Sequence, residues 1–108
     1  MADEQIRAAM FTEAVLRRPA MYTMNGTFAE VVAFLNGYYS GAARGHLDWP
    51  PVIEWTDLER WLANRLGVAS TEAFRRIEQS FDDNCERIDA LADWYARFRY
   101  EWNSDSAA

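Results

Sequence analysis

The sequence predicts an all-α protein, a compact single-domain bundle of about five helices, and three observations carry that expectation. Apolar residues recur at helical spacing in five successive segments. Threonine precedes glutamate by three residues at Thr27/Glu30 and again at Thr56/Glu59, the spacing of a capping box, in which each side chain satisfies a backbone donor beside the other. Proline and glycine punctuate the segments at Pro19, Gly26, Gly45 and Gly67, where a helix must stop or the chain must turn.

The first helix is expected over residues 3–18, with Ile6, Met10 and Ala14 at helical spacing and Phe11 and Val15 alongside. Asp3 and Glu4 suit its positive end, and Arg17 and Arg18 its negative end. Pro19 closes it, because the residue before a proline is pushed out of helical geometry. A connector from Arg17 to Gly26 leads to the second helix, started by Thr27 and Glu30. Phe28, Val31, Val32, Leu35, Tyr38, Tyr39 and Ala42 then fall on one broad face. The other side carries Ala33, Gly37 and Gly41 at four-residue spacing. Two glycines inside a helix cost about 1 kcal/mol each relative to alanine, and burial of this helix between two neighbours is the simplest offset.

Residues 45–56, with Trp49-Pro50-Pro51 at their centre, form an aromatic and proline-rich loop between helices two and three. Thr56 and Glu59 start the third helix, Leu58, Trp61, Leu62 and Leu66 line it, and Gly67 ends it. A short fourth helix follows Ser70 or Thr71, with Phe74, Ile77 and Phe81 inward and Glu72 able to pair with Arg76. Asp82 or Asp83 caps the last helix, which runs to about Trp102 and whose apolar face is Ile88, Leu91, Ala92, Tyr95, Phe98 and Trp102. The tails at 1–3 and 103–108 are expected to fray.

The 108 residues are half hydrophobic and 15% aromatic, enough for one core without disulfides or metal. The net charge of -6 argues against nucleic acid as a direct ligand, since phosphate binding wants a basic face. Residues 1–53 carry five acids and four arginines, whereas residues 54–108 carry twelve acids and seven arginines, so the second half holds the acidic surplus. The lone cysteine, Cys85, excludes an intrachain disulfide and suits a reducing, cytoplasmic setting. No apolar run approaches membrane-spanning length.

The residues for chemistry are missing. His46 is the only histidine, which excludes a multi-histidine metal site, and neither a phosphate-binding glycine loop nor a dinucleotide fingerprint occurs. Cys85 falls at the inward edge of the last helix and is expected as a buried structural residue; His46 is expected on a loop surface. No catalytic residue, metal ligand or cofactor is assigned.

Two surfaces remain as candidate sites. Asp82, Glu86, Asp89 and Asp93 fall on one side of the last helix by the rotation of 100° per residue. Like charges one turn apart cost a few tenths of a kcal/mol per pair, partly recovered if Asp93 pairs with Arg97. Such a stripe serves as a solvated face or as a dock for a basic partner, whose approach it steers. Arg17, Arg18 and Tyr22 are the second candidate, an anion or ligand contact beside the turn at Asn25-Gly26, although the end of the first helix also accounts for the arginines.

Arg17-Arg18-Pro19-Ala20-Met21-Tyr22 and the helix carrying Asn36 resemble the start of the gyrase-type ATPase domain. There a similar motif precedes a helix with a catalytic glutamate and a metal-binding asparagine. Aligned on Asn36, the glutamate falls at Val32 and the aspartate before the asparagine at Leu35. The resemblance covers about a quarter of the chain and lacks the downstream glycine signatures, so ATPase activity is rejected. The same motif, with Phe34-Leu35-Asn36-Gly37-Tyr38 and Trp61-Leu62-Ala63-Asn64-Arg65-Leu66-Gly67, is similar to a group of small uncharacterised bacterial proteins, some expected beside toxin or defence genes. That resemblance implies an immunity-like or accessory binding role.

The sequence therefore points to a non-enzymatic cytoplasmic protein-binding module, of the immunity type if its partner is a basic toxin or effector. Two other classes compete: a self-associating structural or accessory subunit, and a small-ligand sensor with a pocket among Tyr22, Tyr38, Trp49 and Trp55.

Overall fold

A computed structural model describes the backbone of residues 3–45 and 54–107, with side chains over 9–41 and 55–101. The described residues are all-α, in five helices with no strand among them: α1 (Asp3–Arg17), α2 (Phe28–Gly45), α3 (Glu54–Leu66), α4 (Ala73–Ser80) and α5 (Asn84–Ala107). The chain divides into two compact units, Met1–Trp55 and Thr56–Ala108. The aromatic loop with His46 and Trp49 lies outside the described residues, as does the side chain of Ile6.

In the first unit α1 buries Ala9, Thr12, Val15 and Leu16. Met10, expected inside, is 65% exposed. The hydrophobic count missed the true face because a polar residue sits at its centre: the hydroxyl of Thr12 lies 2.6 Å from that of Tyr39 on α2, in a buried hydrogen bond. Pairing these two hydroxyls removes most of the cost of taking them out of water.

The connector is tightly built. Pro19–Met21 form one 3-10 turn, with proline at its start, where a missing N–H costs nothing. The Thr23 hydroxyl donates to the Pro19 carbonyl at 3.0 Å and accepts the Gly26 N–H at 2.8 Å. Gly26 has φ +67, and a Cβ there would stand 3.1 Å from the Ala20 nitrogen. Only glycine fits both the left-handed backbone and that close approach.

The capping box of α2 forms as expected. The Glu30 N–H donates to Thr27 Oγ1 at 3.2 Å, and the Thr27 N–H donates back to Glu30 Oε1 at 3.1 Å. Asn25 adds its own N–H to the same oxygen at 3.1 Å. These donors, the Thr27 backbone first, hold the Glu30 carboxyl below its usual range. Phe28, Val31, Leu35 and Tyr39 are buried, with Val32 and Tyr38 half-buried. Trp55, the second described residue of α3, stacks on Tyr39 with centroids 5.4 Å apart, and its indole N–H donates to Asn36 Oδ1.

The glycine side of α2 is not buried between neighbours. Ala33, Gly37 and Gly41 are exposed, and nothing lies within 4 Å of a Cβ added at either glycine. No second neighbour covers the stripe among the described residues.

In the second unit α3 buries Leu58, Leu62 and Ala63. Its helix is already formed at Glu54, so Thr56 stands inside the first turn and makes no capping box; a cap requires a residue still outside helical geometry. Gly67 does end α3, with φ +69, and the Val68 N–H donates to the Ala63 carbonyl at 3.0 Å. This is the six-to-one bond of a Schellman close. Ser70–Glu72 make a 3-10 turn into α4, which buries Ala73 and Ile77. Phe74 is half-buried. Phe81 lies past the end of α4 in extended backbone and is 36% exposed, because α4 stops at Ser80, whose hydroxyl turns back to the Arg76 carbonyl at 2.7 Å. Glu72 and Arg76 form no ion pair.

Helix α5 buries Ile88, Leu91, Tyr95 and Phe98. Its helical backbone continues to Ala107, past the expected end at about Trp102. Cys85 is exposed and not, as expected, a buried edge residue. Three residues before Ile88 at the first turn, it precedes the point where the apolar face closes.

Candidate functional site

The first turn of α5 fixes where its carboxylates stand. Asp83 is the cap: its Oδ2 accepts the Glu86 N–H at 3.2 Å and its carbonyl accepts the Arg87 N–H at 3.1 Å. Arg87 Nε donates to the Phe81 carbonyl at 2.7 Å, which ties the entering loop to the helix. Asp82 therefore lies outside the helix, just ahead of a row formed by Glu86, Asp89 and Asp93. All four are exposed. Because Leu91 and Tyr95 on the same helix are 0% and 1% exposed, rotation of α5 that would hide the row is blocked by its own core face.

The expected pair between Asp93 and Arg97 does not form. The Arg97 guanidinium lies 5.1 Å from the Trp94 ring centroid instead, a cation–π contact that competes with an exposed ion pair of small worth. Among the described residues no cation forms an ion pair with the row.

A second cluster joins α3 to α5 and was not foreseen. Glu101 accepts the Trp61 indole N–H at 2.6 Å and Arg65 Nη2 at 2.6 and 2.7 Å on its two oxygens. Arg65 also lies 4.7 Å from the Trp61 centroid, and Trp61 meets Trp94 and Phe98 edge-on. Arg65 first, and Trp61 after it, hold the Glu101 carboxyl below its usual range. The only local hint was Arg65 one turn after Trp61; its carboxylate comes from 36 residues further on. The Trp61 N–H and Arg65 Nη2 are both spent on Glu101 inside the unit, so the cluster reads as a fastening.

Arg17, Arg18 and Tyr22 lie on one short stretch at the end of α1 and in the connector, but share no hydrogen bond. Arg17 and Arg18 are exposed at the end of α1, while the half-buried Tyr22 ring packs edge-on against Phe11 at 5.5 Å. Of the proposed ligand pocket, Trp49 lies outside the described residues, Trp55 is filled against Tyr39, and Tyr38 packs on Phe11 at 4.6 Å. Asn36, the position that resembles a metal-binding asparagine, spends its oxygen on Trp55.

Among the described residues no cluster of three or more histidine, cysteine, aspartate or glutamate side chains could hold a metal ion. No helix among them is long and apolar enough to cross a membrane. No family model, curated protein or solved structure matches the chain.

Proposed function

We propose that this protein is a non-enzymatic binding module that presents the acidic face of α5 to a basic protein partner, in the manner of an immunity-type inhibitor of a toxin or effector. The observation that carries the reading is the row Asp82, Glu86, Asp89 and Asp93, exposed together on a helix whose opposite face is locked in the core. Carboxylates on a helix already formed need no backbone ordering when a partner arrives, and they speed encounter with a cation-rich surface more than they add affinity. Reversing Glu86, Asp89 and Asp93 to lysine tests it against a basic protein partner recovered by pull-down with the wild-type chain, by calorimetric titration at low and high salt. Affinity falling about tenfold or more with the fold intact supports the reading; binding that ignores both salt and the reversal removes it.

The glycine side of α2 favours a second reading, self-association. Ala33, Gly37 and Gly41 are open, and small residues at this spacing let two helices approach closely. A monomer in sedimentation at high concentration removes that reading and leaves the first untouched.

A further inference from the structure

The first unit carries an exposed face of opposite character to the acidic row. The rings of Phe11, Tyr22, Phe34 and Tyr38 form one connected group around Phe11, with centroids 5.5, 6.0 and 4.6 Å from it, yet all four rings remain half-buried. Aromatic rings that touch one another and still keep part of their surface wet are the composition of a binding wall more than of a finished core. Beside Tyr22 in the connector, Met21 and Met24 are 69% and 89% exposed. Methionine adapts its shape to an incoming apolar side chain, which is why it is used at such surfaces.

Charge decides what the face accepts. Arg18 reaches from the end of α1 to Met21, its Nη1 4.0 Å from the sulfur, so cation and apolar surface are continuous. Arg17 is exposed next to it, and among the described residues no carboxylate forms an ion pair with either arginine. Glu30 is occupied by the N–H groups of Asn25 and Thr27. Glu13, one turn before Arg17, is exposed and leaves the pair unneutralised by contact.

We propose that this connector face docks an acidic amphipathic peptide segment of a partner protein, its large apolar side chains against Met21, Met24 and Tyr22 and its carboxylates on Arg17 and Arg18. The charge selects a partner opposite to the one the α5 row accepts, and the two proposals stand on separate residues. A nucleic acid would use the arginines but leave the methionines wet, so the apolar surface favours a peptide.

The test is selection of a random displayed peptide library on the full chain, followed by anisotropy titration of the enriched peptides. Enrichment of peptides pairing leucine, methionine or aromatic residues with aspartate or glutamate is expected. Their affinity should fall about tenfold or more in the double variant Met21→Ser/Met24→Ser and in Arg17→Glu/Arg18→Glu. All four positions are exposed, and an unchanged melting temperature confirms that each variant is folded. The proposal is overturned by no enrichment, by enrichment of lysine- and arginine-rich peptides, or by affinities that the variants leave unchanged. It is also overturned if the wild-type chain instead binds a single-stranded oligonucleotide or anionic vesicles through Arg17 and Arg18, or if the face is occupied by a second copy, seen as self-association lost in the methionine variant. Charge reversal on α5 should leave peptide affinity unchanged, which separates failure here from failure of the acidic face.

Discussion

The two units are closed by different chemistry, although both are helical and of similar length. Unit one has a neutral core, with a buried hydroxyl pair between Thr12 and Tyr39, a stacked Tyr39–Trp55 pair and a connector whose turn is written in Thr23 and Gly26, and one charged cap at its surface, Glu30. Unit two is fastened at its surface by charge, with Glu101 gripping Trp61 and Arg65. Neutral bonds inside a core are indifferent to salt and to mild acid. A charged clamp at a half-exposed surface answers to both. When pH falls, the core bonds of unit one should hold, while the Glu101 clamp of unit two and the Glu30 cap of unit one, both with depressed pKa, should weaken.

The largest effect that sharpens this contrast comes from the two left-handed glycines. Gly26 and Gly67 have nearly the same φ, +67 and +69, but a Cβ at Gly26 meets backbone while one at Gly67 meets nothing. Gly67→Ala should cost about 1 kcal/mol, the backbone strain alone. Gly26→Ala adds a collision with Ala20 that no rotamer relieves, for a total of about 2 kcal/mol or more. Equal costs in urea denaturation would show that the connector yields and is less tightly built than its hydrogen bonds imply.

Next in size is Thr12→Val, which keeps the shape and removes the bond to Tyr39. A loss of about 1 kcal/mol is expected, the same in neutral and mildly acidic buffer, since neither hydroxyl titrates there. A loss that varies with pH would break the contrast between the units.

What was legible in the sequence follows the range of each interaction. The α2 cap was readable because Thr27 and Glu30 act across three residues, and so was Gly67, which acts across the end of its own helix. The same spacing at Thr56 and Glu59 misled, since a capping box needs a threonine outside the helix and α3 is already helical there. Met10 misled because burial of α1 turns on Thr12, whose value depends on a hydroxyl 27 residues away. The acidic row follows helical periodicity, and of the two caps left open, Asp82 or Asp83, the fold uses Asp83. The clamp at Glu101 and the exposure of Met21 and Met24 were not legible, since both depend on which segments the fold brings together or leaves uncovered.

Glu101→Gln tests the clamp directly. The folded-state pKa of Glu101 is depressed, so its contribution is present above the ordinary carboxylate range and is lost as pH falls through the folded value. The variant should be less stable than wild type at neutral pH and converge with it in acid. Raising the salt should narrow the neutral-pH difference. Parallel stability curves at all pH values would mean that the Trp61 hydrogen bond, and not charge, does the fastening.

The smallest effect runs the other way, in the same unit. Glu59 on α3 is half-buried, and burial raises its pKa. Its folded form therefore holds a proton more readily than the unfolded chain, and stability falls as pH rises from the ordinary carboxylate value through the raised one. At neutral pH the charged Glu59 is a cost, kept small because solvent still reaches the side chain. Glu59→Gln should stabilise the protein by about 0.5 kcal/mol or less at neutral pH and lose that gain in acid, where glutamate is itself neutral. Glu101 and Glu59 thus impose opposite pH slopes on one unit, and the double variant should be flatter with pH than Glu101→Gln alone if both causes are right. A gain from Glu59→Gln that persists in acid would assign it to helix propensity or packing in place of desolvated charge.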